Sequence, residues 1–179
     1  AVVLACAAAS SSAVLCSYNK AITGVSFDTF IWNSVTSDAL IIDMQITVDP
    51  SALPAAGEQI WYAFGINDRG PVPGGNMPGS EIYMLTVGDT GSGELVQNVQ
   101  QNRKATAKAR PPLMEDQLFS AYPVASEYSA DGLTVTSRFV RPYDPAAFPD
   151  YFNLTSRATW WIVDAIGPWT DGVGPFYHS

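Results

Sequence analysis

The chain has 179 residues, a formal net charge of −8 and a pI of about 4.3, which fit one acidic domain. No run of about 18 apolar residues occurs, which argues against a membrane-spanning helix, and the acidic balance disfavours nucleic acid as a partner. Only 15% of the residues are charged, and Ser, Thr, Gly and aromatic residues are plentiful, a mixture typical of an extracellular β protein.

The N-terminal residues 1–24 are predicted to form an apolar arm or first strand ahead of a main domain over residues 25–179. Cys6 and Cys16 are close enough in sequence to close a small loop, and in a secreted domain they are predicted to form a disulfide. Two buried free thiols are the alternative. An apolar arm can also add a strand to a neighbouring subunit, which would allow self-assembly.

Short strand-like segments follow one another through the main domain. Each is rich in β-branched and aromatic residues and is bounded by Gly, Pro, Asn or Asp, as strands are. Residues 103–110 (RKATAKAR) lack an apolar stripe and are predicted to be a loop or short turn. Seven or more strands without helices predict an all-β sandwich or barrel. The predicted strands are 25–32, 39–48, 58–66, 81–87, 94–99, 133–140 and 158–166.

Motifs of common enzymes are absent, so the chain is not predicted to be an enzyme by itself. It has no G-x-S-x-G, H-E-x-x-H or P-loop sequence, and no C-x-x-C-H that would attach a c-type haem. Asp43 and Asp164 could act as an acid and a base, but nothing in the sequence brings them together. Asn153 begins an N-glycosylation sequon, Asn-Leu-Thr, which is relevant to a secreted protein.

Two residues in Gly- and Pro-rich segments stand out as candidate ligands. Met77 lies in GPVPGGNMPGSEIYML, and His178, the single histidine, follows Phe-Tyr near the end of the sequence. Taken alone, each has an ordinary interpretation: a gap-filling Met and a solvated terminal His. Together, a thioether and an imidazole are the axial ligands of haem iron in many electron-transfer cytochromes. Aromatic residues near both segments could wall an apolar slot: Trp61, Tyr62, Phe64, Trp160, Trp161, Trp169, Phe176 and Tyr177.

Four segments resemble a known family. They are IWYAFGI, NMPGSEIYML (with Glu81 where Asp is commoner), LTVTSRFVRP, and TWWIVDAIG followed by FYHS. Over residues 25–179 the chain resembles the DOMON domain. It is most similar in these motifs to cytochrome b-type members such as the haem domain of cellobiose dehydrogenase and plant auxin-responsive membrane cytochromes.

The resemblance implies an antiparallel, immunoglobulin-like β-sandwich that binds haem b. Met77 and His178 would be the axial ligands, with Tyr177 and Trp61 beside the cofactor. Arg141 matches a family arginine and would contact a haem propionate or form a structural ion pair. Other candidate propionate partners are Arg138, Lys104 and Lys108.

The predicted function is one-electron transfer in the extracellular space. The partner would be a flavoprotein, a membrane cytochrome or a copper oxygenase, met as a separate protein or a linked domain. One alternative is a haem-free carbohydrate-binding DOMON module, in which some of the five Trp and eight Tyr residues stack on sugars. Another is an extracellular structural or filament subunit whose N-terminal arm completes a neighbouring sheet.

Overall fold

The protein is an all-β sandwich of two antiparallel sheets in a computed structural model that describes residues 14–68, 78–105, 111–156, 160–170 and 174–175. Each sheet has five strands, and the chain passes between the sheets several times. The first sheet, sheet A, has the strand order β1-β2-β3-β8-β7, and sheet B has the order β10-β9-β4-β5-β6.

The strands account for most of the described chain, and helix is limited to short turns. Sheet A contains β1 (Val14–Ile22), β2 (Val25–Asn33), β3 (Ala39–Val48), β7 (Ala125–Tyr128) and β8 (Thr134–Pro142). Sheet B contains β4 (Gln59–Asn67), β5 (Glu81–Asp89), β6 (Leu95–Lys104), β9 (Trp161–Thr170) and β10 (Gly174–Pro175). The helix α1 (Leu118–Ala121) and the 3₁₀ turns Pro50–Ala52 and Leu154–Ser156 lie in the connections.

The predicted all-β fold is confirmed, and several strand limits differ from the prediction. Arg103 and Lys104, assigned to a loop from the sequence, continue β6 because they pair with Ile82 and Glu81 of β5. The described part of the N-terminal arm forms β1, which pairs with β2 of the same domain from Val14 onward. This strand therefore extends the domain's own sheet A.

Alternating side chains of both sheets point inward and form the main core. Phe27, Ile42 and Ile46 of sheet A meet Phe64 and Leu85 of sheet B, and each is at most 1% exposed. Burial of a side chain of this size stabilises a fold by roughly 1.5–3 kcal/mol. Because side chains along a strand alternate between the two faces of a sheet, each sheet turns one apolar face toward the other sheet.

Polar side chains also cross the core. The hydroxyl groups of Tyr62 in β4 and Ser137 in β8 are hydrogen-bonded at 2.7 Å, and Ser137 donates to Gln97 of β6. Ser126 of β7 donates to the same Gln97 oxygen at 2.7 Å. Because these bonds join strands of opposite sheets, they help to fix how the sheets pack.

Two buried tyrosines make the stability of this sandwich sensitive to alkali. Burial is the main cause that raises the pKa of Tyr62 and of Tyr83 above the usual value of 10. Both phenols therefore keep their protons in the folded state while the unfolded chain begins to lose them near pH 10. We expect the free energy of unfolding to fall above pH 10, by up to about 1.4 kcal/mol per pH unit for each tyrosine.

Urea unfolding of the wild type and of Tyr62→Phe at pH 8, 10 and 11 measures this effect. The variant has one fewer buried phenol, so its stability should decline less steeply with pH. Equal slopes in the two proteins would contradict the assignment of this loss to Tyr62.

Candidate functional site

The outer face of sheet B carries a second apolar cluster, separate from the main core. Because neighbouring residues of a strand point to opposite faces, Trp61 and Ala63 lie on the outer face, whereas Tyr62 and Phe64 lie in the core. Trp61 is only 3% exposed. We call this the outer cluster: Trp61, Ala63, Ile82, Met84 and Ala105, with Val99 and Ala165 packed against it.

Two glycines on this face let neighbouring side chains pack directly against the backbone. Gly167 of β9 is the register partner of Trp61, and a Cβ atom placed on it would lie 2.8 Å from Trp61 Nε1. At Gly65 an added Cβ would lie 2.6 Å from Cγ2 of Val163. The Trp61 indole therefore lies directly against the backbone of β9 at Gly167.

Polar groups border the outer cluster on the β6 side. The hydroxyl of Thr86 donates to Gln59 Oε1 at 2.8 Å and accepts from the backbone N–H of Val99 at 2.9 Å. Arg103, the register partner of Ile82, is 4% exposed and donates to Gln101 Oε1 at 2.6 and 3.1 Å. Its Nη1 donates to the Pro111 carbonyl at 2.6 Å, so this buried cation, in a segment that sequence analysis assigned to a loop, is held by hydrogen bonds within the domain.

The predicted ligands Met77 and His178 lie outside the described residues, as do Tyr177 and Cys6, and their roles stay predictions. The residues that flank them are described. Pro78, next to Met77, accepts a hydrogen bond at its carbonyl from Asn67 Nδ2 at 3.2 Å, at the C-terminal end of β4. Pro175, three residues before His178, pairs with Trp169, which itself pairs with Gln59 at the start of β4. These attachment points therefore lie at opposite ends of sheet B.

Arg141 forms an ion pair in the interior. It is fully buried, and its guanidinium contacts both carboxylate oxygens of Glu81, with Nε–Oε1 and Nη2–Oε2 distances of 3.0 Å. Arg141 belongs to sheet A and Glu81 to sheet B, so the pair joins the two sheets. Of the two roles predicted for Arg141, the structural ion pair is the one that these contacts form.

The buried pair is surrounded by further hydrogen bonds. Tyr83 donates from its hydroxyl to Glu81 at 2.7 Å and accepts from Arg141 Nε at 2.6 Å. The backbone of Phe152 donates its N–H to Glu81 at 2.8 Å and accepts from Arg141 Nη2 at 2.6 Å, and Arg141 Nη1 donates to the Pro142 carbonyl. The charged groups of Glu81 and Arg141 thus have several hydrogen-bond partners each. A buried charge pair requires such partners, because charged groups without them would carry a large desolvation cost.

The other candidate propionate partners lie apart from the outer cluster or outside the described residues. Arg138 is on the outer face of sheet A, where it pairs with Asp43 at 2.7 Å. Lys104 donates to the Asp150 carbonyl at 2.8 Å and lies 4.2 Å from the ring centroid of Phe152. Burial lowers the pKa of Lys104. Lys108 lies outside the described residues.

Two carboxylates that sequence analysis considered as an acid–base pair are not brought together. Asp43 faces outward from β3, whereas Asp164 of β9 lies 3.8 Å from Lys20 of β1 at the edge of the sandwich. Burial raises the pKa of Asp164. Since each carboxylate has its own cationic partner on a different part of the fold, they form no common site.

Of the residues predicted to be modified, Cys16 and Asn153 are among those that the structure describes, and Cys6 is not. Cys16 is buried in β1 at 7% exposure, and because Cys6 is not among the described residues, the disulfide stays a prediction. Asn153 is exposed, and its side-chain oxygen accepts hydrogen bonds from the Thr155 N–H at 3.0 Å and the Thr155 hydroxyl at 2.6 Å. The sequon thus lies on an accessible turn, as glycosylation would require.

Neither metal clusters nor relatives define the site further. Within the described ranges, no group of three or more His, Cys, Asp or Glu side chains is placed to bind a metal ion. No helix in that part of the chain is long and apolar enough to cross a membrane. No known protein family, curated protein or solved structure matches this chain.

Proposed function

We propose that this protein is an extracellular one-electron carrier of the DOMON type that binds haem b on the outer face of sheet B. Met77 and His178 would be the axial ligands of the iron. The observation that supports the proposal best is the position of the outer cluster. It is a buried apolar cluster between the attachment points of the two segments that carry the predicted ligands.

The residues of this face fit a flat apolar cofactor. Trp61, Ile82 and Met84 are aromatic, aliphatic and thioether side chains that suit an apolar cofactor, and Gly167 keeps the backbone beside Trp61 free of a side chain. Each of these three side chains is at most 5% exposed, so haem would have to displace what covers them. The two segments that would supply Met77 and His178 attach at opposite ends of this face, and both would have to extend over it to hold one iron.

The protein residues have separate tasks in this proposal. The haem supplies the one-electron couple, while Met77 and His178 hold the iron in both oxidation states. Trp61, Ile82 and Met84 exclude water from the cofactor face. Arg141 is committed to Glu81 in the interior, and Arg103 on this face donates from Nε, Nη1 and Nη2 to Gln101 and to the Pro111 carbonyl, so we assign the propionate contact to neither.

Electrostatics favour a partner with a positive surface. The chain has 17 acidic and 9 basic residues, so association with a basic patch would be accelerated at low salt. A flavoprotein, a membrane cytochrome or a copper oxygenase would serve as the partner, and the carrier itself needs no substrate pocket.

An absorption spectrum of the purified protein, before and after dithionite reduction, tests the proposal directly. We expect a sharp Soret band and narrow α and β bands on reduction, as six-coordinate low-spin haem gives. If the protein is purified without cofactor, the same bands should develop when haem is added at one equivalent. A protein that stays colourless after haem addition would exclude the electron-transfer function.

A further inference from the structure

A lysine and an aspartate face each other between the two sheets, where β1 forms an edge of sheet A. Tyr18 and Lys20 alternate with exposed residues along β1, so both side chains point toward sheet B. Lys20 Nζ lies 3.8 Å from Oδ2 of Asp164 in β9, and the two side chains are 26% and 7% exposed. Since β1 is the first strand of sheet A, this contact links an edge strand to the opposite sheet.

Asp164 lies on the core-facing side of an apolar strand. Ile162 and Ile166, two residues away on either side, belong to or pack against the main core, so the carboxyl between them also points inward. Within the described residues, Asp164 Oδ2 is buried and accepts no hydrogen bond. A buried carboxylate oxygen without a hydrogen bond is costly in its charged form. The surroundings of Asp164 therefore favour an uncharged form of this group.

Tyr18 supplies a proton donor to the same carboxyl. Its phenol is hydrogen-bonded to Asp164, and burial together with the Asp164 charge raises the pKa of Tyr18 to about 12, so the phenol keeps its proton at neutral pH. Burial also raises the pKa of Asp164, in spite of the nearby Lys20. A carboxyl that has gained a proton and a phenol hydrogen bond is a better electrophile, because the charge that develops on its oxygen during attack is stabilised.

We propose that Lys20 and Asp164 become joined by an isopeptide bond that the folded protein forms by itself. Transfer of one proton from the Lys20 ammonium to the Asp164 carboxylate leaves a neutral amine and a neutral carboxylic acid. The amine Nζ attacks Cγ of Asp164, the Nζ–Cγ bond forms, and the bond from Cγ to one oxygen breaks. That oxygen leaves as water with two of the three protons of the original ammonium, so no oxidant, reductant or further reactant is needed.

The fold favours this condensation in two ways. An amine and a carboxyl held in contact react at an effective concentration that reaches about 10⁵ M or more in well-oriented pairs. Phe27 and Phe64, the register partners of Lys20 and Asp164, are at most 1% exposed. Such apolar surroundings disfavour the two charged groups and limit the access of water for the reverse reaction. The amide product is uncharged, so it removes the buried carboxylate.

Intact-mass spectrometry of the denatured and reduced wild type tests this proposal. The protein is produced in bacteria, so that Asn153 carries no glycan, and denaturation removes any haem. We expect a mass lower than that of the sequence by one water molecule. After trypsin digestion, the peptide that ends at Arg69 should contain Lys20 uncleaved and remain joined to the peptide that begins at Ala158 and contains Asp164. A wild type with the full mass of its sequence, or with these two peptides separate, would overturn the proposal.

Two variants and a matched control identify the reacting groups. Lys20→Arg keeps the positive charge but has no amine, and Asp164→Ala has no carboxyl, so both should retain the full mass of their sequences. Lys104→Arg is the control, because Lys104 is also partly buried but donates to the backbone carbonyl of Asp150. This control should lose water as the wild type does. A water loss that persists in Lys20→Arg would come from another group and would contradict the proposal. The joined peptides of the wild type decide the matter even if a variant does not fold.

Tyr18→Phe tests the part that the phenol has in the reaction. The variant keeps the ring and lacks the proton donor, so we expect its water loss to be at least about tenfold slower than in the wild type. Unreacted chain should therefore be present in the freshly purified variant, and its fraction is followed by intact mass over time at neutral pH. A variant that is converted as fast as the wild type would contradict the role assigned to Tyr18. All these readouts are masses of the chain and its peptides, so their outcome is separate from that of haem binding.

Discussion

Replacing Arg141 with methionine is expected to lower the free energy of unfolding by about 3–5 kcal/mol. The change leaves the Glu81 carboxylate in a fully buried position without its cation, and only Tyr83 and the Phe152 N–H remain as hydrogen-bond donors. An uncompensated buried charge costs far more than the pair contributes when intact. Urea unfolding followed by circular dichroism measures the loss.

Arg138→Met is the matched control for this prediction. Arg138 also forms a bidentate pair with a carboxylate, but its side chain is 57% exposed. Solvent screens such pairs, so we expect a loss of at most about 1 kcal/mol. If Arg138→Met and Arg141→Met lower the free energy of unfolding equally, burial of the ion pair does not determine the cost of removing its cation.

A double variant separates the unpaired charge from the loss of packing. In Glu81→Gln/Arg141→Met both charges are gone, and the Gln oxygen can still accept from Tyr83 or from the Phe152 N–H. We expect this protein to be more stable than Arg141→Met alone. A double variant less stable than Arg141→Met would mean that the guanidinium contacts with Pro142 and Phe152 dominate.

The strands were predictable because local sequence specifies them. The segment 39–48 has β-branched residues and period-2 polarity in its second half, is flanked by Asp38 and Asp49, and forms β3 with the predicted limits. Segment 60–66 was harder to interpret because it is apolar on both faces. Without polar contrast, the sequence does not say which of its aromatic residues face the core and which face outward.

Contacts between distant strands could not be predicted in the same way. Glu81 and Arg141 are 60 residues apart, and nothing local to either one specifies that they pair in the interior. The outward-facing pair of Asp43 and Arg138 likewise depends on the register of β3 with β8, which places these two residues opposite each other. A charged residue at the start of an apolar strand, as at Glu81, is the one local signal of such a buried pair.

Substitution of His178 should have the largest effect on the cofactor. It is the single histidine of the chain, so no other imidazole can replace it, and His178→Ala is expected to abolish stable haem binding. Met77→Ala should retain haem more weakly as a five-coordinate, high-spin species, because one strong-field ligand is lost. Absorption spectra and haem titration of both variants, compared with wild type, measure these effects.

The four methionines allow the thioether ligand to be assigned without ambiguity. Met44 and Met114 are buried in the main core, so they face away from the proposed haem site. Met84 lies in the outer cluster, which makes it the described methionine that could compete with Met77 for the iron. Met44→Leu should leave the low-spin spectrum unchanged, and Met84→Leu should leave the iron six-coordinate if Met77 binds it. A low-spin spectrum that survives Met77→Ala but is lost in Met84→Leu would transfer the ligand role to Met84.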